Sequence, residues 1–599
     1  MPYSLKQLGL FLLLCSGVIR PLFSAENATI AWQDWSPEVF SEAKKTGKHI
    51  ILNVEAVWCH WCHVMDQTTY GDATVAAAIA KDFIAIKVDH DAHPEIAARY
   101  RAWGWPATIF YNSAGAEIVK RAGYIPPQSM TALLAAIVRD PSPETAASPI
   151  TVSNIRSTLT AVDKAKLIAM HQNSYDPKYG SLAIAMKFID PDSVEYALLQ
   201  GMSGDKSELA RANKTLTAAL QLEDPEWHGF YQYSTHGDWD HPHFEKIMRT
   251  QTRHIRLYAQ AYAATQDKAY KNAAEHTLAY LDRFLKSPEG GYYTSQDADL
   301  VQGQKSASYF ELNNKQRLAR GIPRIDKQRY TSENASLISA LSRLYSATGQ
   351  DAVKDQAVAI GQWLLANRQR SGGGFNHGSS DDNSRNDRKL FLADNINALT
   401  AFTDLYEITA DRQWLNQAIA SADIIREQIS AADLVGLPAA SVDALDPLAP
   451  YIDLEENIRA SRAINTLFHY SGRAADKTLA DKAMAYISSS AVIATRFTEA
   501  GILLADAELN RDPLHLVVVG SKSDASAAEL FRAALKSYQS YRRIEWWDRS
   551  EGELIHHDVE YPVLPTSAAF VCNDKRCSTP IYQADKIQEV ILLIEGLAK

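Results

Sequence analysis

The sequence predicts a three-part chain: a small α/β domain, an array of helical hairpins closed into an α/α toroid, and a small C-terminal α/β module. Three observations carry this. Over residues 30–140, apolar runs of five to nine residues alternate with amphipathic stretches. From about 152 to 507, helix follows helix and a phrase recurs at the spacing of helix pairs. Beyond 508, a buried-strand pattern returns in Leu514-His-Leu-Val-Val-Val-Gly520. A length of 599 residues suits three domains at roughly 100 to 200 residues each.

In chain order, Leu8 to Ile19 is uncharged, follows Lys6 and precedes Phe23-Ser24-Ala25. Such a run is too short to span a bilayer and matches the core of a secretory signal peptide over 1–25, cut after Ala25. Arg20 interrupts the segment before the cut, so an uncleaved anchor is the alternative. Leu14 before Cys15 argues against a lipid there. The expected location is periplasmic or secreted, with no stable membrane span after cleavage. The whole chain has 61 Lys+Arg against 71 Asp+Glu, a net charge of -10, and losing residues 1–25 makes it -12. No basic cluster stands out, so nucleic acid is excluded as a main partner.

In the first domain (26–140), strands are expected at His49 to Val57, Phe83 to Val88, Ala107 to Tyr111 and Glu117 to Arg121. Helices are expected at Cys59 to Ala80 and Met130 to Val138, with Asn112-Ser-Ala-Gly115 as a hairpin turn. The Pro- and Ser-rich stretch 141–151 is a linker by composition. In 152–507, Tyr262-Ala-Ala-Thr-Gln-Asp267 returns as Tyr345-Ser-Ala-Thr-Gly-Gln-Asp351, Tyr406-Glu-Ile-Thr-Ala-Asp411 and, more faintly, Tyr470-Ser-Gly472. Gly290-Gly-Tyr292 and Gly373-Gly-Phe375 keep the phase of the first interval. Each repeat is one helical hairpin that buries its apolar face only against neighbours. Neither end looks like a polar cap, so closure into a ring is expected. The last module (508–599) adds a helix at Ala525 to Tyr538, a strand at Arg542 to Trp547 and a terminal helix at Ala584 to Leu597.

Beyond the expected cut, four cysteines remain, as two close pairs. Cys59-His-Trp-Cys62 follows a strand and opens a helix, so the first sulfur sits among unpaired helix N–H groups that favour thiolate. Cys59 and Cys62 are spaced to close a short disulfide. A zinc half-site from Cys59, Cys62 and some of His60, His63, His90 and His93 is the competing reading; no second Cys-x-x-Cys completes it, so no metal and no cofactor is expected. A static structural disulfide is the other reading. Cys572-Asn-Asp-Lys-Arg-Cys577 suggests a local disulfide clip. In the toroid, Asp238-Trp-Asp-His-Pro-His-Phe-Glu245 and Asp297/Asp299 group acids, histidines and aromatics. His243 and Glu245 with Asp297 or Asp299 are the pairs to test for sugar chemistry, since glycoside hydrolysis needs two carboxyl groups and epimerisation an acid/base pair. Helix caps and surface charge are the competing explanation.

The strand, Trp58-Cys59-His-Trp-Cys62, the helix and Trp105-Pro106 before a strand together resemble thioredoxin. The resemblance implies Cys59 as attacking thiol, Cys62 as resolving thiol and Pro106 as the cis proline beside them. Asn53 stands where reducing thioredoxins carry a buried acid, and Glu55, on the same face, is a partial substitute. Cys59 to Met65, Lys87-Val-Asp89, Pro94, Pro242 to Lys246, Asp297-Ala-Asp299, Ile322 to Asp326, and Cys572 with Cys577 further resemble the thioredoxin-domain family named after a spermatogenesis-associated mammalian member. That resemblance implies a thioredoxin-like domain joined to a toroid similar to six-hairpin glycosidases and sugar epimerases. The sequence departs from that pattern at Trp227 to Phe230, after Asp299, and at Asn334-Ala335-Ser336. The expected function is thiol–disulfide exchange with a protein partner. The alternatives are a carbohydrate-active toroid with a carbohydrate ligand, or a non-catalytic binding scaffold.

Overall fold

The computed structural model describes residues 29–144, 156–379, 389–537 and 541–596. The expected signal peptide, most of the expected linker, and the ends of the helices expected to reach Tyr538 and Leu597 lie outside these residues.

The head comprises β1 (Trp32–Gln33), α1 (Pro37–Thr46), β2 (His49–Glu55), α2 (His60–Thr68), α3 (Ala73–Asp82), β3 (Phe83–Asp89), α4 (Pro94–Tyr100), β4 (Ala107–Tyr111), β5 (Glu117–Ala122) and α5 (Pro127–Arg139). Its sheet runs β1-β3-β2-β4-β5. β3 lies parallel to β1 and β2, and β4 is antiparallel to both β2 and β5. Both faces are covered. Ile50, Leu52 and Val54 point to one core with Phe40 and Ile96, whereas Ile51 points to the other with Ile79, Met130 and Leu134. A strand buried on both sides reads as an uninterrupted apolar run, as β2 does. The stretch expected as one helix from Cys59 to Ala80 is two: after Gly71, Asp72 accepts the N–H groups of Thr74 and Val75 and starts α3 anew.

The body contains α6 (Ala161–Asn173), α7 (Pro191–Met202), α8 (Lys206–Ala219), β6 (Tyr233–Ser234), β7 (Pro242–His243), β8 (Lys246–Ile247), α9 (Met248–Thr265), α10 (Lys268–Tyr280), β9 (Ser295–Gln296), α11 (Ala307–Phe310), α12 (Asn314–Arg320), β10 (Ile325–Asp326), α13 (Thr331–Thr348), α14 (Asp351–Asn367), α15 (Leu392–Thr409), α16 (Arg412–Ile424), α17 (Leu454–Ser471), α18 (Ala474–Ile487), α19 (Ser490–Ile493) and α20 (Ala500–Leu509). Contacts run α7–α9–α13–α15–α17–α20 and back to α7, an inner ring of six helices. Each has an outer partner: α8, α10, α14, α16, α18 and, for α20, the first helix α6. The ring closes because its two ends pair with each other.

The recurring Tyr phrase is the turn from inner to outer helix. The carbonyls of Tyr262, Tyr345 and Tyr406 accept the N–H groups of left-handed Gln266, Gly349 and Ala410. Asp267 and Asp411 then cap the outer helices that follow. A second repeated device stands near the start of four inner helices. Gln251, Asn334, Asn395 and Asn457 are fully buried, and each amide bonds the chain that enters its helix. Asn395, for example, accepts from the Phe375 N–H and donates to the Phe391 carbonyl. Gln251, Asn334 and Asn457 do the same for Phe230, Tyr292 and Leu437. These amides satisfy irregular backbone that helix ladders cannot reach.

The last module has β11 (Leu514–Val519), α21 (Ala525–Lys536), β12 (Arg542–Trp547), β13 (Ala568–Cys572) and α22 (Ile587–Ile594), with sheet order β12-β11-β13. β13 was not expected from sequence. The module seals the C-terminal ends of the inner helices: Glu407 takes Arg542, Tyr406 donates to Glu545, and Asn465 donates to Tyr541. The head covers the opposite end, where Arg101 meets Glu455 and the Asp91 carbonyl meets His377. No described helix is long and apolar enough to cross a membrane.

Candidate functional site between head and toroid

Cys59 is the N-cap of α2, and its sulfur accepts the Cys62 N–H at 3.3 Å. Cys59 and Cys62, expected to close a disulfide, are not bonded to each other in this structure. The Trp105–Pro106 peptide is cis. Burial pushes the Cys62 thiol well up, and a hydrogen bond with Cys59 and the charges of Cys59 and Glu55 push it further. Asn53 is buried and donates to Glu55 at 2.9 Å. Glu55 is itself raised, first by burial and then by Asp66, against the pull of Lys87 at 3.1 Å. Glu55, two residues along the same face from Asn53, thus stands within electrostatic reach of Cys62.

The toroid closes over this pair. Cys59 is only 6% exposed, and Ile247 packs on the cluster of Ala56, Trp58, Cys59 and Cys62. Tyr233 faces both Glu245 and Cys59, and burial first, then these two groups, raise its phenol far above the usual range. His243 stacks on Tyr233 at 4.3 Å and stands 3.8 Å from Glu245, whose Oε2 is buried without a protein partner. Asp297 and Asp299, considered from sequence as partners of His243 and Glu245, bind the head instead. His60 Nδ1 lies 2.8 Å from Asp299, His63 Nε2 lies 3.0 Å from Asp297, and the Ala298 N–H donates to the Trp58 carbonyl. The two candidate sites read separately in the sequence are thus one site on either side of a domain interface. The histidines point at carboxylates rather than at sulfur, and among the described residues no group of donor atoms close enough to share a cation includes a cysteine; at this site His63, Asp297 and Asp299 form such a group.

Beside it lies a cluster of acidic side chains that the sequence did not reveal. Asp89 and Asp91 of the head face Asp326 and Glu333 of the toroid. Burial first, then mutual repulsion, raises Asp89 and Glu333, whereas Asp91 is pushed up to about 6 despite the Trp58 N–H it accepts. Asp89 Oδ1, His90 Nδ1 and Glu333 Oε2 have no protein partner. At the head-covered end of the ring, Glu455 is held well below the carboxylate range; burial alone would raise it, and Arg249, Arg253, Arg101 and Arg459 reverse that. Arg249 and Glu455 each keep 32% of their side-chain surface exposed. Arg249, Arg253 and Arg256 are spaced along one face of α9, a pattern that reads in sequence as an ordinary solvated face.

At the opposite end Cys572, the last residue of β13, is bonded to Cys577. Inner helices of 18 residues separate the two ends by about 27 Å at 1.5 Å per residue, far beyond disulfide reach, so the pairs cannot exchange within one molecule in this arrangement.

Residues 20–139 match the family model Thioredox_DsbH, described as a protein of unknown function, DUF255. The head thus carries a thioredoxin-like domain that is similar to this family. The human spermatogenesis-associated protein 20 is 27% identical over 307 residues, 45% of this chain and 39% of that protein. The chain thus aligns with about two fifths of that relative's length. The thiol:disulfide interchange protein DsbD of Ralstonia nicotianae is 34% identical over 82 residues, 13% of each chain. Among solved structures, a sugar epimerase from a ruminal bacterium aligns with 54% of this chain and 83% of its own at 15% identity and a TM-score of 0.42. A family 76 glycoside hydrolase from a bovine Bacteroides thetaiotaomicron strain aligns with 67% and 82% at 12% identity and 0.41.

Proposed function

We propose that this protein is an exported thiol–disulfide oxidoreductase, periplasmic or secreted, whose toroid covers the reactive pair and selects what reaches it. Cys59 thiolate attacks one sulfur of a protein partner's disulfide, forming a mixed disulfide while the partner's other sulfur leaves as a thiolate and takes a proton. Cys62, its proton drawn by Glu55, then attacks the Cys59 sulfur. The partner departs as a dithiol and a Cys59–Cys62 disulfide remains for an external dithiol to reduce. The observation that carries this reading is the asymmetry of the pair: Cys59 at the helix start receives an N–H, whereas Cys62 is buried behind it with a raised thiol. The closed interface requires the toroid's lip to swing away before a protein partner can enter. Cys62→Ser should trap partners on Cys59 as mixed disulfides resolved by diagonal electrophoresis; adducts equally abundant in Cys59→Ser would remove Cys59 from the attacking role.

A second reading rests on the buried, unpartnered oxygens of Glu245, Asp89 and Glu333. Polar groups of this kind suit a small polyhydroxy ligand such as a carbohydrate held between head and toroid. Glu245→Gln should weaken its binding on a glycan panel, and unchanged binding would count against this reading.

A further inference from the structure

Among the outer helices and loops of the toroid, Glu223, His228 and His276 converge. His228 Nδ1 lies 3.0 Å and His276 Nδ1 2.8 Å from the same Glu223 oxygen, and the two imidazoles stack at 4.1 Å. The three donor atoms lie within 4.8 Å of one another. Two nitrogens and a carboxylate oxygen at this spacing match three corners of a zinc tetrahedron, whose bonds of about 2.0 to 2.1 Å place ligand atoms a little over 3 Å apart. The side chains are only partly covered, which leaves the fourth corner to water.

The frame behind them is rigid. His228 has φ 62°, a left-handed conformation uncommon for a residue with a Cβ. Gly229 follows at φ 68°, where a Cβ would stand 2.6 Å from the Tyr280 ring. The turn is pinned from below: Lys246 donates to the His228 carbonyl and to Asp224 at 2.7 Å each, and Arg317 grips Asp224 at 2.7 Å. Lys246, Asp224 and Arg317 are entirely buried. Buried ion groups of this kind do little for net stability but fix geometry, and here they hold Glu223 and His228 on opposite sides of one tight turn.

We propose that Glu223, His228 and His276 form a divalent-metal site, with Zn2+ as the fitting ion and water in its open position. His276 reaches the turn from α10, so the ion would tie that helix to the segment 223–247 that also carries Tyr233, His243 and Glu245. Sequence expected no metal, and these residues, 48 positions apart from His228 to His276, gave no motif.

The test uses the full chain with Cys59 and Cys62 replaced by serine, so that thiolates do not compete. After chelation and dialysis, Zn2+ is titrated calorimetrically and Co2+ is followed by its visible absorption. The expected result is one ion per chain, cobalt bands of a nitrogen/oxygen site without a sulfur charge-transfer band, and affinity lower by about a hundredfold in His276→Ala. His228→Asn, which tolerates the left-handed backbone, should give a similar loss. No ion bound, or binding unchanged in both variants, would overturn the proposal.

Discussion

Replacing Asp297 and Asp299 by Asn should open the head from the toroid without touching either cysteine. His60 and His63 reach these carboxylates at 2.8 and 3.0 Å, and all four side chains are largely buried. A hydrogen bond to a charged group contributes about 1.5 to 3 kcal/mol, and Asn retains a neutral bond worth about 0.5 to 1.5 kcal/mol. Each substitution therefore costs the closed form about 1 to 1.5 kcal/mol. Since 1.4 kcal/mol is a factor of ten, the double variant should raise the open population about thirtyfold to a hundredfold. Asn keeps the acceptor that Asp297 offers to the Asp299 N–H, so the turn itself survives. The assay is the rate of Cys59 modification by a disulfide reagent, taken at a pH where the thiol is fully ionised and normalised to the unfolded chain. With reclosing faster than labelling, this rate follows the open population. A double-variant rate within twofold of wild type would refute the idea that these ion pairs hold the mouth shut.

Other outcomes follow from the same contacts. Burial alone would lower His63, but Asp297, Asp299 and Asp66 raise it above 6.5 overall, so the closed form binds the proton more tightly. Closure is then strongest below pH 6.5 and loosens as pH rises through the raised value, which hydrogen exchange of the Ala298 amide, corrected for base catalysis, should register and His63→Ala should flatten. Glu55→Gln should slow resolution of the mixed disulfide about tenfold or more while leaving the first attack by Cys59 nearly unchanged, as rapid-quench kinetics would separate. Asn395→Ala leaves the buried Phe375 N–H without its partner, while the Phe391 carbonyl keeps the backbone N–H of residue 395, and should cost about 1 to 3 kcal/mol, seen as a lower urea midpoint.

The sequence made the three-part architecture legible because its signals were local. Strand length, the Tyr phrase and the Cys-x-x-Cys context each depend on neighbours within one turn or one strand. The split between α2 and α3 was equally local, in Gly71-Asp72, and was passed over because the apolar spacing continues across it. The site was legible only in halves. Cys59 and Glu245 are 186 positions apart, and nothing in either segment says that the head docks on the rim it does. Asp297 and Asp299 read as a cap or a catalytic pair, whereas their partners His60 and His63 stand on another domain. The buttressing amides were hidden for a different reason: a buried Asn bonded to backbone has no partner side chain to announce it, and Asn334 looked only like a departure from the family pattern.

The measurement closest to the central claim is the thiol–disulfide equilibrium of Cys59 and Cys62 in the full chain, followed by mass-resolved alkylation against graded dithiol buffers. The account predicts a reversible couple between about -120 and -270 mV, reached more slowly in wild type than in the Asp297/Asp299 variant. A pair that stays oxidised below about -300 mV, or never exchanges even when the mouth is opened, would make it a structural clip and contradict the account.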